Sequence, residues 1–207
     1  MTPRFITLEG GEGVGKSTQL ARLADAIRTR GHQVVTTREP GGTPGAEAIR
    51  DLLMSGSEDR WSPRTEALLF AAARADHVEK LIRPALHRGS WVLCDRFIDS
   101  TRAYQGGAGG ISDAEILSLH AIGSEGLLPD RTLVLTVPAD ESIARTTKRD
   151  GLKKDRMGSR DIGYYQKVTS SFHTFALNDT NRFRMITATG DEESVTARLI
   201  AALDDLL

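Results

Sequence analysis

Cysteine and long apolar runs are scarce in this sequence, and each absence excludes a class of protein. Among 207 residues Cys94 is the only cysteine, so no intrachain disulfide can form. No run approaches the roughly 20 apolar residues that a membrane-spanning helix needs, and the start of the chain lacks the apolar core of a signal peptide. We therefore expect a cytoplasmic protein with no membrane partner.

An excess of positive charge is also lacking. The chain has 27 Lys and Arg against 28 Asp and Glu, a formal net charge of −1. Such a chain has no broad positive field that would draw it onto nucleic acid, so its basic residues must be interpreted locally. We expect no nucleic-acid partner.

Apolar segments alternate between strand-like and helical patterns. Short strand-like runs predict five strands, at residues 5–8, from 34 onward, 91–94, 133–137 and 183–186, and the run at 91–94 is typical of a buried strand. Helical spacing appears between them, as in residues 20–27 and 63–86, and again in residues 195–206. The alternation predicts a single domain over residues 1–207, with a three-layer α/β/α fold around a five-stranded parallel sheet.

A glycine-rich loop follows the first predicted strand. Residues 10–17, GGEGVGKS, match G-x-x-x-x-G-K-[ST] at every required position and precede a predicted helix. Lys16 is expected to reach the β- and γ-phosphates of ATP, and the Ser17 hydroxyl to bind Mg²⁺. The alternative, a glycine-rich turn that only caps a helix, would not need Lys16 beside Ser17. Residues 10–17 are therefore called the P-loop, and they predict a P-loop NTPase-like fold. The predicted nucleotide-binding residues are Gly10, Gly11, Glu12, Gly13, Val14, Gly15, Lys16, Ser17 and Thr18.

P-loops also occur in switches, motors and transporters, so the acceptor side must decide the function. Residues 95–105, DRFIDSTRAYQ, resemble the thymidylate kinase signature D-R-[FYH]-x-x-S-[ST]-x-A-Y-Q. Residues 38–43, REPGGT, resemble that family's R-E-P-G-G-T loop, and the likeness extends to residues 65–74 and 129–130. The resemblance implies a kinase that phosphorylates dTMP to dTDP for dTTP synthesis, with ATP as co-substrate, Mg²⁺ as cofactor and a homodimeric assembly.

The resemblance also implies how the acceptor phosphate is held. Arg38, Arg50 and Arg96 match the family's phosphate-binding arginines, and guanidinium forks suit this task because they pair with phosphate oxygens. For Arg50 the alternative is a solvated charge on an amphipathic helix. Asp95 either holds Mg²⁺ through water or braces Arg96, and the sequence leaves both open. Ser17 and Asp95 are thus the predicted metal site.

A base pocket is implied on a helix. Phe70 and Arg74 lie one turn apart, so they share a face. By resemblance Phe70 stacks on the thymine ring and Arg74 donates to its O4 carbonyl, where cytosine would present a donor instead. From the residues alone, Phe70 would be a core aromatic.

Further residues are matched to the nucleoside. Thr101 and Gln105 match residues that hydrogen-bond the base edge, and Tyr104 matches the one that crowds the sugar 2′ position, which favours deoxyribose. The alternative for Tyr104 is a core side chain with a satisfied hydroxyl. Glu12 and Glu39 resemble acidic residues near the sugar and the reacting phosphates, although exposed loop carboxylates are the alternative.

A basic segment at approximately residues 148–162 is expected to close over ATP as a lid. The P-loop has no arginine, and the chain resembles the bacterial subgroup in which the lid supplies this charge. Arg149, Arg156 and Arg160 are candidates, and Arg156 belongs to the D-R pair that opens the lid motif. A solvated charge run is the alternative. The departures from the family pattern are Gly158, Thr169 and Phe172, in place of a glutamate, an arginine and a tyrosine.

The predicted chemistry is direct in-line phosphoryl transfer without a covalent intermediate. Lys16, Arg96, Glu12 and Arg156 are the predicted catalytic residues. One alternative is a kinase for another nucleoside monophosphate or for a nucleoside, which would have no need of the residues matched to thymine and deoxyribose. The other is a non-catalytic P-loop protein, which would have no acceptor phosphate to hold.

Overall fold

A parallel sheet of five strands forms the centre of the computed structural model, which describes residues 2–150, 156, 158 and 160–207. The predicted sheet is confirmed, with small shifts at the strand ends. In chain order the strands are β1 Phe5–Gly10, β2 Val34–Arg38, β3 Trp91–Asp95, β4 Arg131–Thr136 and β5 Phe183–Thr187. Their spatial order is β2-β3-β1-β4-β5.

Strand β1 lies in the middle and sets the register of its neighbours. Leu8 pairs with Asp95 of β3, and Gly10 pairs with Leu135 of β4. Because all strands run in the same direction, their carboxyl ends meet at one edge, where ligands collect in folds of this type. The P-loop and the loop after β2 therefore both begin at that edge, beside the end of β3.

Helices cover both faces of the sheet. In chain order they are α1 Lys16–Arg28, α2 Pro44–Met54, α3 Pro63–His77, α4 Arg83–His87, α5 Ile98–Thr101, α6 Asp113–Ser124, α7 Ala139–Asp150, α8 Ile162–Asn178 and α9 Glu192–Ala201. Ile6 and Leu8 pack with α1 and α9 on one face. Phe5 packs with α3, α4 and α6 on the other, where Phe172 of α8 also lies. The predicted three layers are present.

Two helices continue as wider π-helical turns. Helix α3 continues through Val78–Ile82 into α4, and α5 continues through Arg102–Ala108. The sequence pattern predicted one helix over residues 63–86, because apolar spacing does not register an extra residue in a turn. Single π turns are frequent at functional sites. Within the part of the chain that is described, no helix is both long and apolar enough to cross a membrane.

Candidate active site

The P-loop turns tightly from β1 into α1. Gly10 has φ +129°, and a Cβ there would lie 2.3 Å from the Leu135 carbonyl oxygen, so only glycine fits. Lys16 is buried, and its Nζ donates to the carbonyl oxygens of Gly10 at 3.3 Å and Gly11 at 2.6 Å. Burial, followed by the nearby Arg96, lowers the pKa of Lys16 to about 8. A bound phosphate would favour the charged ammonium form of Lys16.

Ser17 and Asp95 meet at the edge of the sheet. Ser17 Oγ donates to Asp95 Oδ2 at 2.8 Å, which brings a hydroxyl and a carboxylate oxygen together beside the P-loop. Within residues 2–150, 156, 158 and 160–207, no cluster of three or more His, Cys, Asp or Glu side chains is suited to a metal ion. Mg²⁺ is usually held by one or two protein oxygens together with nucleotide phosphates and water, so this pair fits a nucleotide-bound ion.

Arg96 crosses from the end of β3 to the P-loop. Its Nη1 donates to the Gly10 carbonyl at 3.0 Å and to Ser100 Oγ at 3.1 Å, and its Nη2 pairs with Glu12 Oε1 at 2.5 Å. Its guanidinium also lies over the ring of Tyr104. Glu12, whose side chain is 33% exposed, is thus an ion-paired carboxylate.

Two further arginines converge on the loop that follows β2. Arg38 makes a bidentate pair with Glu47 of α2, at 3.0 Å to each carboxylate oxygen. Arg50, also on α2, donates from Nη1 to the Pro40 carbonyl at 2.8 Å. Arg50 is therefore not simply a solvated helix charge. Together with Arg96, both line one cavity.

Arg74 is buried between two elements of the predicted base pocket. Its Nε donates to Glu39 Oε2 at 2.8 Å, and its Nη2 donates to Thr101 Oγ1 at 2.7 Å. Glu39 is only 6% exposed, which excludes the alternative of an exposed loop carboxylate. Phe70 lines the cavity, is half-buried, and belongs to none of the apolar core clusters that the described residues form. The core interpretation of Phe70 is thus not supported.

The π turn after α5 carries Tyr104 and Gln105 into the same cavity. Gln105 Nε2 donates to Glu66 Oε2 at 3.2 Å. Tyr104 is buried in an apolar cluster with Val168 and Phe172, and the Arg96 guanidinium lies over its ring. It is thus a core side chain that also lines the cavity. Burial raises the pKa of this phenol to about 12, so it stays protonated.

One cavity of about 730 Å³ joins these groups. The P-loop residues 12–18 and Asp95 lie along it, and so does every predicted substrate-binding residue. Beyond the P-loop it is lined by Arg145, Ala188, Gly190, Glu192 and Val195. It therefore has room for a nucleotide on each side of the P-loop.

The known proteins reported below are similar to this chain in sequence and fold, and all are thymidylate kinases. The thymidylate kinase family model matches residues 8–199. Thymidylate kinase from Rhizorhabdus wittichii is 58% identical over 207 residues, 100% of both chains. That from Caulobacter vibrioides is 48% identical over 198 residues, 94% of this chain and 93% of that one. A crystal structure of thymidylate kinase from Ehrlichia chaffeensis matches with TM-score 0.80 and 32% identity, over 98% of this chain and 100% of that one.

The chain belongs to the thymidylate kinase family. The family and enzyme class predicted from the two acceptor-side motifs are thereby confirmed, as is the fold. These relatives also match nearly the whole chain, so the resemblance is not confined to the P-loop.

Arg156 and Arg160, two of the three lid candidates, both contact Glu66 of α3. Arg156 is buried, pairs with Glu66 Oε1 at 2.6 Å and donates to the carbonyls of Leu53 at 2.8 Å and Glu58 at 3.1 Å. Arg160 reaches the same Glu66 oxygen at 2.7 Å. The side chain of Arg149, and residues 151–155, 157 and 159, lie outside the described part of the chain.

The positions that depart from the family pattern have ordinary surroundings. Phe172 lies on the buried face of α8 and packs into the apolar core. Thr169 Oγ1 donates to the Tyr165 carbonyl one turn earlier at 3.0 Å. Gly158 is half-buried. At Phe172 a core contact explains the apolar residue, whereas nothing in the structure explains glycine at 158.

Sequence reasoning missed several residues that build the site. Glu9 is buried at the end of β1 and accepts from Phe97 N at 2.8 Å, Ser100 N at 3.2 Å and Ser100 Oγ at 2.5 Å. It thereby fixes the turn that carries Arg96, which adopts φ +69°. The signal was a carboxylate ending an otherwise apolar strand. Arg145 of α7 was not predicted as a site residue, yet it lines the cavity and donates to the Ala188 carbonyl at 3.2 Å.

Proposed function

We propose that this chain transfers the γ-phosphate of ATP to dTMP, giving dTDP for dTTP synthesis, with Mg²⁺ bound together with the nucleotide. The proposal is carried by one observation: the P-loop and a thymine-type pocket around Arg74 share a single cavity. Membership of the thymidylate kinase family supports it.

The donor end holds ATP. Inward-facing amides of the P-loop and the N-terminus of α1 bind its phosphates, and Lys16 exchanges its carbonyl partners for phosphate oxygens. The base of ATP extends toward Arg145 and Ala188 at the far end of the cavity. Ser17 and Asp95 would hold Mg²⁺, and the bound ion would neutralise charge on the phosphate oxygens.

The acceptor end orients the phosphate of dTMP. Arg38, Arg50 and Arg96 present guanidinium groups along the cavity and pair with its oxygens, which aligns one of them with the γ-phosphorus. That oxygen is already anionic, so no strong general base is needed. Positioning and charge compensation then account for most of the catalysis.

Selection of the thymine base is assigned to hydrogen-bond donation by Arg74 and stacking on Phe70, and selection of deoxyribose to packing against Tyr104. Arg74 can only donate, so it matches the O4 carbonyl of thymine and leaves the amino group of cytosine facing another donor. Phe70 supplies a face for stacking. The buried Tyr104 crowds the 2′ position and selects deoxyribose. A missing methyl group costs only about 1–3 kcal/mol, so dUMP is expected to be a poorer substrate rather than an excluded one.

The lid supplies the remaining positive charge in this proposal. Arg156 and Arg160 both pair with Glu66 in the structure, so either must exchange that partner to reach ATP. Arg149 is the third candidate.

We also propose a cytoplasmic homodimer. Helices α2 and α6 both pack against α3. All three helices carry exposed apolar side chains, including Leu68, which is 56% exposed, and Ile122, which is 83% exposed. Leu68→Glu should shift the mass measured by light scattering from dimer to monomer, whereas Leu177→Glu on α8, where leucine is 80% exposed, should not. A wild-type chain that elutes as a monomer at micromolar concentration would contradict this.

The function is tested by initial rates of ADP formation with ATP, Mg²⁺ and each common nucleoside monophosphate in turn. Strong preference for dTMP supports the proposal. Preference for adenylate, guanylate or cytidylate would contradict the acceptor assignment and favour another monophosphate kinase. ATP binding without turnover of any acceptor would favour a non-catalytic nucleotide-binding protein.

A further inference from the structure

His77, the last residue of α3, is fully buried. It lies outside the P-loop, the loop at residues 38–43 and the signature at residues 95–105. Its Nδ1 lies 3.0 Å from Glu39 Oε1, and its Nε2 lies 2.7 Å from Thr37 Oγ1. The imidazole therefore joins the end of β2 to the loop that carries Glu39.

The hydrogen-bonding capacities of its partners fix the roles of the two ring nitrogens. The Glu39 carboxylate, paired with the Arg74 guanidinium, can only accept, so Nδ1 must carry a proton. In the neutral imidazole Nε2 is then an acceptor, and the Thr37 hydroxyl donates to it. Glu39 thus selects the tautomer with the proton on Nδ1, and the Thr37 hydroxyl holds the ring through Nε2.

The two oxygens of Glu39 are divided between two partners. Oε1 faces His77, and Oε2 accepts from Nε of Arg74 at 2.8 Å. Arg74 lies one turn before His77 on α3, so both side chains point from the same face of the helix. With one oxygen held by His77, the carboxylate has one orientation in which to receive Arg74, whose Nη2 then reaches Thr101 at 2.7 Å.

Gly42 leaves room for this arrangement. It has φ +90°, and a Cβ there would lie 2.5 Å from Thr37 Oγ1 and 2.6 Å from His77 Nε2. Real Cβ atoms do not approach other atoms so closely, so the second glycine of the loop at residues 38–43 is required by the contact between His77 and Thr37.

We infer that His77 is a positioning residue for acceptor recognition: held by Thr37, it orients Glu39, which in turn aims Arg74 at the thymine base. The inference rests on the proposed function. It assigns to the acceptor pocket a residue that does not itself line the cavity.

Two substitutions separate the contacts of the ring. His77→Asn places an amide nitrogen near the position of Nδ1, so it can still donate to Glu39, whereas His77→Gln places its amide near Nε2 and loses that contact. Steady-state kcat and KM for dTMP and for ATP are measured for both variants, together with Tm. The exposed His173→Gln on α8 controls for the change in residue type.

The expected result is a KM for dTMP raised about tenfold in His77→Gln, with the KM for ATP within about twofold of wild type. His77→Asn should show a clearly smaller rise. A KM for dTMP that is unchanged in His77→Gln, or raised equally in both variants alongside an equal loss of Tm, would show that His77 only fills space and would overturn the inference. A wild-type chain that turns over no dTMP would overturn the proposed function, and this inference with it.

Discussion

The buried ion pair of Arg74 with Glu39 shows how single residues define the acceptor pocket. Arg74 is 2% exposed and uses separate nitrogens for Glu39 and Thr101. A lysine would be a point charge with no fixed fork, so it could not serve both partners in the same geometry.

Arg74→Lys should therefore raise the KM for dTMP by about tenfold or more and leave the KM for ATP nearly unchanged. Steady-state kinetics with each substrate varied in turn measures both values. Arg64→Lys, on the same helix but 74% exposed in its side chain, should behave as wild type. An Arg74→Lys variant with wild-type affinity for dTMP would contradict the assigned role.

Glu9 gives a prediction about pH. Burial, and next the nearby Asp99, raise the pKa of its carboxyl from 4.5 to about 7. Between these pH values the folded chain holds a proton that the unfolded chain has lost, so the free energy of unfolding should fall as pH rises through this window.

Glu9→Gln removes this titration while its amide can still bond Ser100. The variant should therefore lose less stability than wild type between pH 5 and pH 8, by a few kcal/mol at most. Urea unfolding at several pH values measures the difference, with the exposed Glu79→Gln as control. Parallel pH profiles for wild type and Glu9→Gln would contradict the raised pKa.

The sequence predicted residues that carry a motif and missed those that support them. Arg96 and Arg74 were found because they stand in family motifs. His77 was not found, and Glu66 was assigned no role although it lies in the stretch 65–74, because their contacts, to Glu39 and to Gln105, join positions far apart in the chain. The placement of Arg156 against Glu66 likewise depends on tertiary packing that no local pattern encodes.

At the scale of elements, the loop after β2 is shaped by a glycine with no room beside it. Gly42→Ala places a Cβ on a left-handed backbone, where it clashes with Thr37 and His77. Gly89→Ala also places a Cβ on a left-handed backbone, at φ +81°, but no atom lies within 4 Å of it. The left-handed conformation alone costs about 1–2 kcal/mol.

Gly89→Ala should therefore lower stability by about that amount without affecting kinetics. Gly42→Ala should lose more stability and also raise the KM for dTMP, because the clash displaces His77 and hence Glu39. Chemical denaturation and steady-state kinetics on both variants measure the two effects. Equal loss of stability with unchanged kinetics in both would indicate that crowding at residue 42 is unimportant.

The three inner strands β1, β3 and β4 were predictable because parallel strands buried on both faces form nearly continuous apolar runs. The edge strands β2 and β5 are less buried and were recognised from shorter apolar segments. The π turns Val78–Ile82 and Arg102–Ala108 were not, since an extra residue in one turn leaves the apolar spacing nearly intact. The second of these turns determines where Tyr104 and Gln105 point. The part of the site that sequence reasoning could not place thus lies where the helix departs from regular geometry.

At the scale of the whole molecule, the parallel sheet brings two binding regions to one edge. The donor region depends on the P-loop, and the acceptor region depends on α3 and the turn after α5. Since each ligand binds mainly the folded chain, each should stabilise it, by about 2.7 kcal/mol at a hundredfold excess over Kd.

Lys16→Met should remove most of the stabilisation by ADP and retain that by dTMP, because the two ligands use different ends of the cavity. Thermal unfolding with each ligand alone measures this. Loss of both effects in Lys16→Met would contradict separate donor and acceptor regions.

The most direct test of the account is a crystal structure of the chain with dTMP and a non-hydrolysable ATP analogue. Thymine should stack on Phe70 with its O4 near Arg74, the dTMP phosphate should lie against Arg38, Arg50 and Arg96, and the γ-phosphate of the analogue should lie at Lys16. A dTMP molecule that binds with its base away from Arg74, or outside the cavity shared with the P-loop, would contradict it.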